Sequence, residues 1–156
     1  MSRGMQEGVN VVNWVKFQFP SMAANISFAR ACSAAFITQL DCTIEEIDET
    51  KLAVSEAISN CVIHGYHSKP DGIIDLEIKL FPNRVVEIII EDHGRGIENV
   101  EKALQPAFSS EPDRMGLGFV FMKSFTDNLE VCSSPGQGTR VRMVKSFAAD
   151  NSNPEA

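Results

Sequence analysis

Residues 73–92, IIDLEIKLFPNRVVEIIIED, leave the fold little freedom. The first eight alternate strictly, with Ile74, Leu76, Ile78 and Leu80 on one side and Asp75, Glu77 and Lys79 on the other. A period of two with this chemistry is a strand with one dry face and one wet face. FPNR at 81–84 turns the chain through Pro and Asn. VVEIIIED at 85–92 resumes as a strand apolar on both faces, which belongs inside a sheet rather than at its edge. Such a hairpin needs further strands beside it and helices over its dry face.

The rest of the chain supplies both. VVNWVKFQF at 11–19 is rich in β-branched and aromatic residues and suits a strand closed by Pro20 and Ser21. NLEVCSS and TRVRMVKSF, at 128–134 and 139–147, are two more strands, joined by the hairpin signal PGQG. A helix is expected over about 24–40, with Phe28 or Ala29, Cys32, Phe36 and Leu40 as its apolar stripe. A second spans about 43–64. Thr43 and Glu46 can form a capping box at its start, Ile44, Ile47, Lys51, Val54 and Ile58 follow one face, and Gly65 suits its C-cap. Residues 93–117 show no stable period, and FVFMKSF at 119–125 reads as a third helix. The expected fold is an α/β (α+β) two-layer sandwich, a mixed but mostly antiparallel sheet covered by helices on one face. One domain over 14–147 is expected, after a flexible leader (1–13) and before a disordered tail (148–156).

The formal net charge of −7 argues against direct nucleic-acid binding, which needs a basic surface. No apolar run is long enough for a membrane span, so no membrane association is expected. The four cysteines form no CxxC pair and read as reduced, mostly buried thiols of a cytoplasmic protein.

Three segments carry possible chemistry. Glu56 and Asn60 sit one turn apart on the second helix, a carboxylate able to act as a base beside an amide able to ligate a hard cation. His64 continues the stripe but is expected to set the helix end. EDHGRG at 91–96 ends the central strand with Asp92, a candidate buried acceptor, and with Gly94 and Gly96, which allow close approach to the backbone. RMGLGF at 114–119 opens a helix with Gly116 and Gly118, whose N–H groups could meet phosphate oxygens, and Arg114 could add countercharge. Each segment alone is more often an ordinary helix face or turn; their order, with Thr139 in GQGT, is what carries weight.

That series resembles the Bergerat ATP-binding fold of gyrase-type ATPases, histidine kinases and small serine kinases. The resemblance implies that Asn60 ligates Mg²⁺, Asp92 accepts from the adenine amino group, and Thr139 supports that contact. Gly94, Gly96, Gly116, Gly118 and the segment between them would hold the phosphates of ATP or ADP. NISFAR (25–30), VSEAISNCVIHGY (54–66), EDHGRGI (91–97), QPAFSSEPDRMGLGF (105–119) and SSPGQGT (133–139) are similar to the anti-sigma factor serine kinases of spore-forming bacteria, those of the sporulation anti-sigma F type. This likeness implies a homodimer that holds a sigma factor inactive and phosphorylates a serine of an anti-anti-sigma factor. Glu56 would then be the base, Arg114 a γ-phosphate contact and Arg30 a partner contact. An ATP-dependent sequestering module without kinase activity, or a stress-response kinase of the same family, stays open as an alternative.

Overall fold

A computed structural model describes residues 10–105 and 115–147. Strand β2 (Ile73–Phe81) and strand β3 (Val85–Asp92) form the expected antiparallel hairpin, with Ile78 opposite Ile88 and Ile74 opposite Asp92. Strand β1 (Asn13–Pro20) adds to the far side of β2, and Val12 already donates its N–H to the Leu80 carbonyl. Strand β4 (Asn128–Ser134) and strand β5 (Gly138–Ser146) form the second hairpin, and β5 pairs with β3. The sheet order is β1-β2-β3-β5-β4, and every pairing in it is antiparallel. A mostly antiparallel sheet was the expectation, and β3 sits at its centre as its apolar faces require.

Helix α1 (Ala24–Ile37), helix α2 (Ile44–Asn60) and helix α4 (Met115–Phe125) pack on one face of this sheet, and a short helix α3 (Val100–Ala103) lies between them in the chain. Leu76, Ile78, Leu80, Ile88, Ile90 and Met143 point into the core between the layers. The α2 start is the capping box itself: the Glu46 N–H donates to Thr43 Oγ1, and the Thr43 N–H donates to the Glu46 carboxylate.

The helix faces differ from the expected stripes. In α1 the buried row is Ala29, Ser33 and Ile37, one position round from the Phe28, Cys32, Phe36 line. Phe28 is exposed and packs edge-on against Phe17 of β1. Small residues face the sheet here because α1 lies close to both α2 and the strands. In α2 the buried positions are Thr50, Ala53, Val54, Ala57 and Ile58, whereas Ile44 is exposed in the capped first turn. Thr50 is tolerated inside because its hydroxyl donates to the Glu46 carbonyl. Of the four cysteines only Cys61 is buried; Cys32 and Cys42 are half-buried and Cys132 is exposed on β4.

The opposite sheet face carries a cross-strand charge ladder. Arg142 Nε donates to Glu87, Lys79 Nζ lies 3.7 Å from the same carboxylate, and Arg142 also meets Glu130 at 3.4 Å. The long side chains cover Ile89, so the apolar centre of β3 is shielded on this side as well.

Candidate nucleotide site

The C-terminal end of α2 does not stop cleanly at Gly65. Its last turn, Cys61–Gly65, is wound as a π-helix, and the Tyr66 N–H reaches back to the Cys61 carbonyl at 3.0 Å. Such widened turns are short and tend to lie at functional sites. Upstream of it, Glu56 and Asn60 face the first turn of α4. The position a Cβ would occupy on Gly118 is 3.0 Å from Glu56 Oε2 and 3.4 Å from Asn60 Nδ2. Helix α4 approaches α2 closely at this point because residue 118 has no side chain. Asn60 Nδ2 is buried and has no hydrogen-bond partner. Orphaned buried amides are rare in a native protein, and a donor left free at a cleft is open to a ligand or a water.

At the other end of the cleft, Asp92 closes β3 and is 3 % exposed. Its carboxylate accepts from the Gly94 N–H at 2.9 Å. Cys61 lines the same cleft, and Thr139 stands opposite Asp92 in the β3–β5 ladder. Burial pushes the Asp92 carboxyl above its ordinary range, and the Gly94 N–H offsets part of that rise. Gly65 presents a bare Cα to the acid: a Cβ there would stand 3.0–3.1 Å from its carboxylate atoms.

The loop after Asp92 is pinned by backbone. The Arg95 N–H donates to the Gly65 carbonyl, the Arg95 carbonyl accepts from the Gly136 N–H, and the Ile97 N–H donates to Ser133 Oγ. A Cβ on Gly94 would fall 2.1 Å from the Gly65 carbonyl oxygen, and one on Gly96, at φ +75°, 2.0 Å from that of Ser134. The close approach these two glycines allow is thus to the chain's own backbone, and Gly96 also lines the cleft. Thr139 faces Asp92 across the β3–β5 ladder, and its hydroxyl is 2.8 Å from Ser133 Oγ.

Between these groups lies a narrow cleft of about 20 Å³, walled by Ala57, Ile97, Phe119 and Val141 and carrying Asn60, Asp92 and Thr139. A mostly apolar lining with a few convergent polar atoms is the make-up of a ligand site. The histidine kinase-like ATPase domain profile matches residues 19–145. The chain is 51% identical over 136 residues to an anti-sigma F factor of Caldanaerobacter subterraneus, covering 85% of this chain and 93% of that protein. It is 50% identical over 141 residues to one from a Thermoanaerobacter species, covering 88% and 96%. The chain belongs to the histidine kinase-like ATPase family, in the anti-sigma F factor branch.

Its fold also matches about a third of a structure of the RsbU and RsbW domains of a Mycobacterium tuberculosis protein, at a TM-score of 0.61 and 16% identity, covering 86% of this chain and 32% of that one. In this histidine kinase-like ATPase domain, Glu56, Asn60, Asp92, Gly96, Gly118 and Thr139 converge around the cleft. Gly116 lies in the first turn of α4, which begins at Met115 rather than at Phe119, so both glycines are helical. Arg114 lies outside the described residues. Arg30 is exposed on α1, away from the cleft. His64 is half-buried and lines the cleft.

Three contributors escaped the sequence reading. Cys61 lines the cleft with Asp92 and Ser133 bonds Thr139, and the sequence reading gave neither a role although both lie in the motifs it used. Tyr66 is the third. Its hydroxyl donates to the Ile73 carbonyl at 2.6 Å and accepts from the His93 N–H at 2.7 Å, tying the end of α2 to the start of β2 and to the loop after Asp92. Its ring fits because Gly72 leaves the space; a Cβ there would be 2.4 Å from the ring. The HGY run was the available signal.

Proposed function

We propose that this chain is an anti-sigma factor of the sporulation sigma F type and a protein serine kinase. On this reading it binds and inhibits a sigma factor, and it uses Mg-ATP to phosphorylate a serine of the anti-anti-sigma factor, inactivating it. The convergence of Glu56 and Asn60 on Gly118, with Asp92 buried at the far end of the same cleft, carries the reading. The names of the 50%-identical relatives supply the sigma partner.

The residues divide the work. Asp92 accepts from the adenine amino group, with Thr139 beside it. The first-turn N–H groups of α4, unpaired within the helix, turn toward phosphate oxygens. Asn60 would hold Mg²⁺ through its Oδ1; a single protein ligand is ordinary for Mg²⁺, which keeps phosphate and water oxygens. When bound, Mg²⁺ neutralises phosphate charge. Glu56, one turn from Asn60, takes the proton of the incoming serine hydroxyl. Arg114 would contact the γ-phosphate. Arg30, exposed on α1, is open to a protein partner, and the active unit is a homodimer.

The test is transfer of label from ATP to a serine of the cognate anti-anti-sigma factor. Phosphoserine on the antagonist supports the kinase. ATP binding with no transfer would leave a nucleotide-dependent sequestering protein. Capture of a different, stress-response sigma factor would move the chain to the alternative partner set.

A further inference from the structure

Asp92, Thr139 and Ser133 form one row across three strands: Asp92 pairs with Thr139 between β3 and β5, and Thr139 pairs with Ser133 between β5 and β4. Asp92 and Thr139 line the cleft, and Ser133 is next in the row. The half-buried Ser133 hydroxyl has three neighbours. It accepts from the Ile97 N–H at 2.8 Å, donates to the Gly138 carbonyl at 2.9 Å, and lies 2.8 Å from Thr139 Oγ1. All three distances suit hydrogen bonds made at the same time.

Counting protons decides the direction of the third bond. A hydroxyl has one proton and two lone pairs, a carbonyl only accepts, and a backbone N–H only donates. The Gly138 carbonyl takes the Ser133 proton, and the Ile97 N–H occupies one Ser133 lone pair. What Ser133 has left for Thr139 is a lone pair, so the Thr139 hydroxyl donates to it. With its single proton spent there, Thr139 presents only lone pairs to the cleft.

We propose that Ser133 is a positioning residue for base selectivity: by taking the Thr139 proton it makes Thr139 a second acceptor beside Asp92, so the cleft selects a base edge that carries an amino group over one that carries a carbonyl. The proposal rests on the reading of Asp92 and Thr139 as the adenine end of the cleft. A carbonyl placed there meets two acceptors and no side-chain donor, the kind of mismatch by which polar sites reject close analogues. A Thr hydroxyl without Ser133 could rotate to donate or to accept, and would serve either base. The Ile97 bond adds to the effect, because Ile97 walls the cleft and the same serine holds both that wall and the hydroxyl.

The experiment compares binding of ADP with binding of inosine diphosphate, which carries a carbonyl where adenine carries its amino group. Titration calorimetry gives both affinities for wild type, Ser133→Ala, Ser133→Thr, Thr139→Val, the Ser133→Ala, Thr139→Val double variant and Asp92→Asn. Wild type is expected to prefer ADP. Ser133→Ala releases the Thr139 proton to the cleft, and the ADP preference should fall about tenfold, the scale of one net hydrogen bond, chiefly through tighter inosine diphosphate binding. Ser133→Thr retains a hydroxyl and should keep the wild-type ratio. With Thr139→Val already in place, Ser133→Ala should leave the ratio unmoved, because no hydroxyl remains to be oriented. Loss of the Ile97 and Gly138 ties alone would weaken both nucleotides together. A Ser133→Ala ratio within about twofold of wild type overturns the proposal, as does the same fall in ratio when Thr139 is already Val. A Ser133→Thr loss equal to that of alanine overturns it too. If Ser133→Ala does not fold, Ser133→Cys, whose sulfur is a weak acceptor, tests the same bond. No ADP preference in wild type, or a full one in Asp92→Asn, would overturn the adenine reading itself. Loss of preference in Asp92→Asn, with the preference intact in Ser133→Ala, overturns only the role of Ser133.

Discussion

Gly118 of α4 stands directly over the Glu56 carboxylate, with 3.0 Å between its Cβ position and Oε2 and 3.4 Å to Asn60 Nδ2. One missing side chain thus joins the helix that carries the candidate base to the helix whose N-terminal amides are proposed to meet the phosphates. The same closeness separates stability from activity. Inside a helix alanine is preferred to glycine by about 1 kcal/mol. The nearest obstruction to a new methyl group is the far end of a flexible Glu. Gly118→Ala should therefore leave the melting temperature equal to wild type or slightly higher, while displacing the carboxylate and lowering phosphoryl transfer. Thermal melts alongside transfer assays check this. A variant with unchanged transfer would show that Glu56 does not need its present position.

Glu56 and Asn60 share a stripe but should fail differently. Glu56→Gln keeps the shape and removes the base, so nucleotide affinity should hold while transfer drops by about 10²–10⁴-fold. Asn60→Ala removes an amide whose Nδ2 is already unpaired, so the free protein should lose little stability. What should weaken is nucleotide affinity in the presence of Mg²⁺, with less change in its absence. Equal losses with and without Mg²⁺ would refute Asn60 as the metal ligand.

Asp92 gives a pH dependence with a definite sign. Its carboxyl is raised by burial, so the folded protein favours the protonated acid more than the unfolded chain does. Its contribution to stability is thus fully present below the ordinary carboxylate pKa, near 3.9, and is lost as pH rises through the raised folded value. Adenine recognition runs the other way, because a protonated acid no longer offers all its acceptor sites. ADP affinity should fall on acidification through that raised pKa, above the pH at which an ordinary Asp titrates. In Asp92→Asn this acid limb should vanish along with the adenine preference. Calorimetric titrations between pH 4 and 8 would record both.

Much of this was readable from side-chain pattern because the physics involved is local. The alternation at 74–80 places β2, the Thr43–Glu46 pair places the start of α2, and PGQG places the last hairpin; each needs only its neighbours in sequence. Glu56, Asn60 and Asp92 were legible through spacing and order. The misread parts depend on what lies across the fold. Ala29 rather than Phe28 faces inward because α1 packs tightly on α2 and the sheet. Helix α4 includes Gly116 and Gly118, and Gly118 lets it approach α2 closely, a contact that a helix-propensity argument does not see. Gly65 comes against Asp92 at the end of a π-helical turn that no periodicity announces.

Tyr66 makes the same point testable. Its hydroxyl bridges the Ile73 carbonyl and the His93 N–H, which lie on two different elements. Tyr66→Phe preserves the ring against Gly72 and removes only the bridge. The loss should cost about 1 kcal/mol of stability, a typical net hydrogen bond, because water can reach the freed groups. The larger effect should fall on the loop after Asp92, whose first N–H would lose its tie to the end of α2. Amide exchange at His93 and its neighbours should quicken, and ADP affinity should weaken more than stability does. If exchange there is unchanged while the protein is destabilised throughout, Tyr66 serves the fold alone, and the Arg95–Gly65 and Arg95–Gly136 bonds suffice to hold the Asp92 end of the cleft.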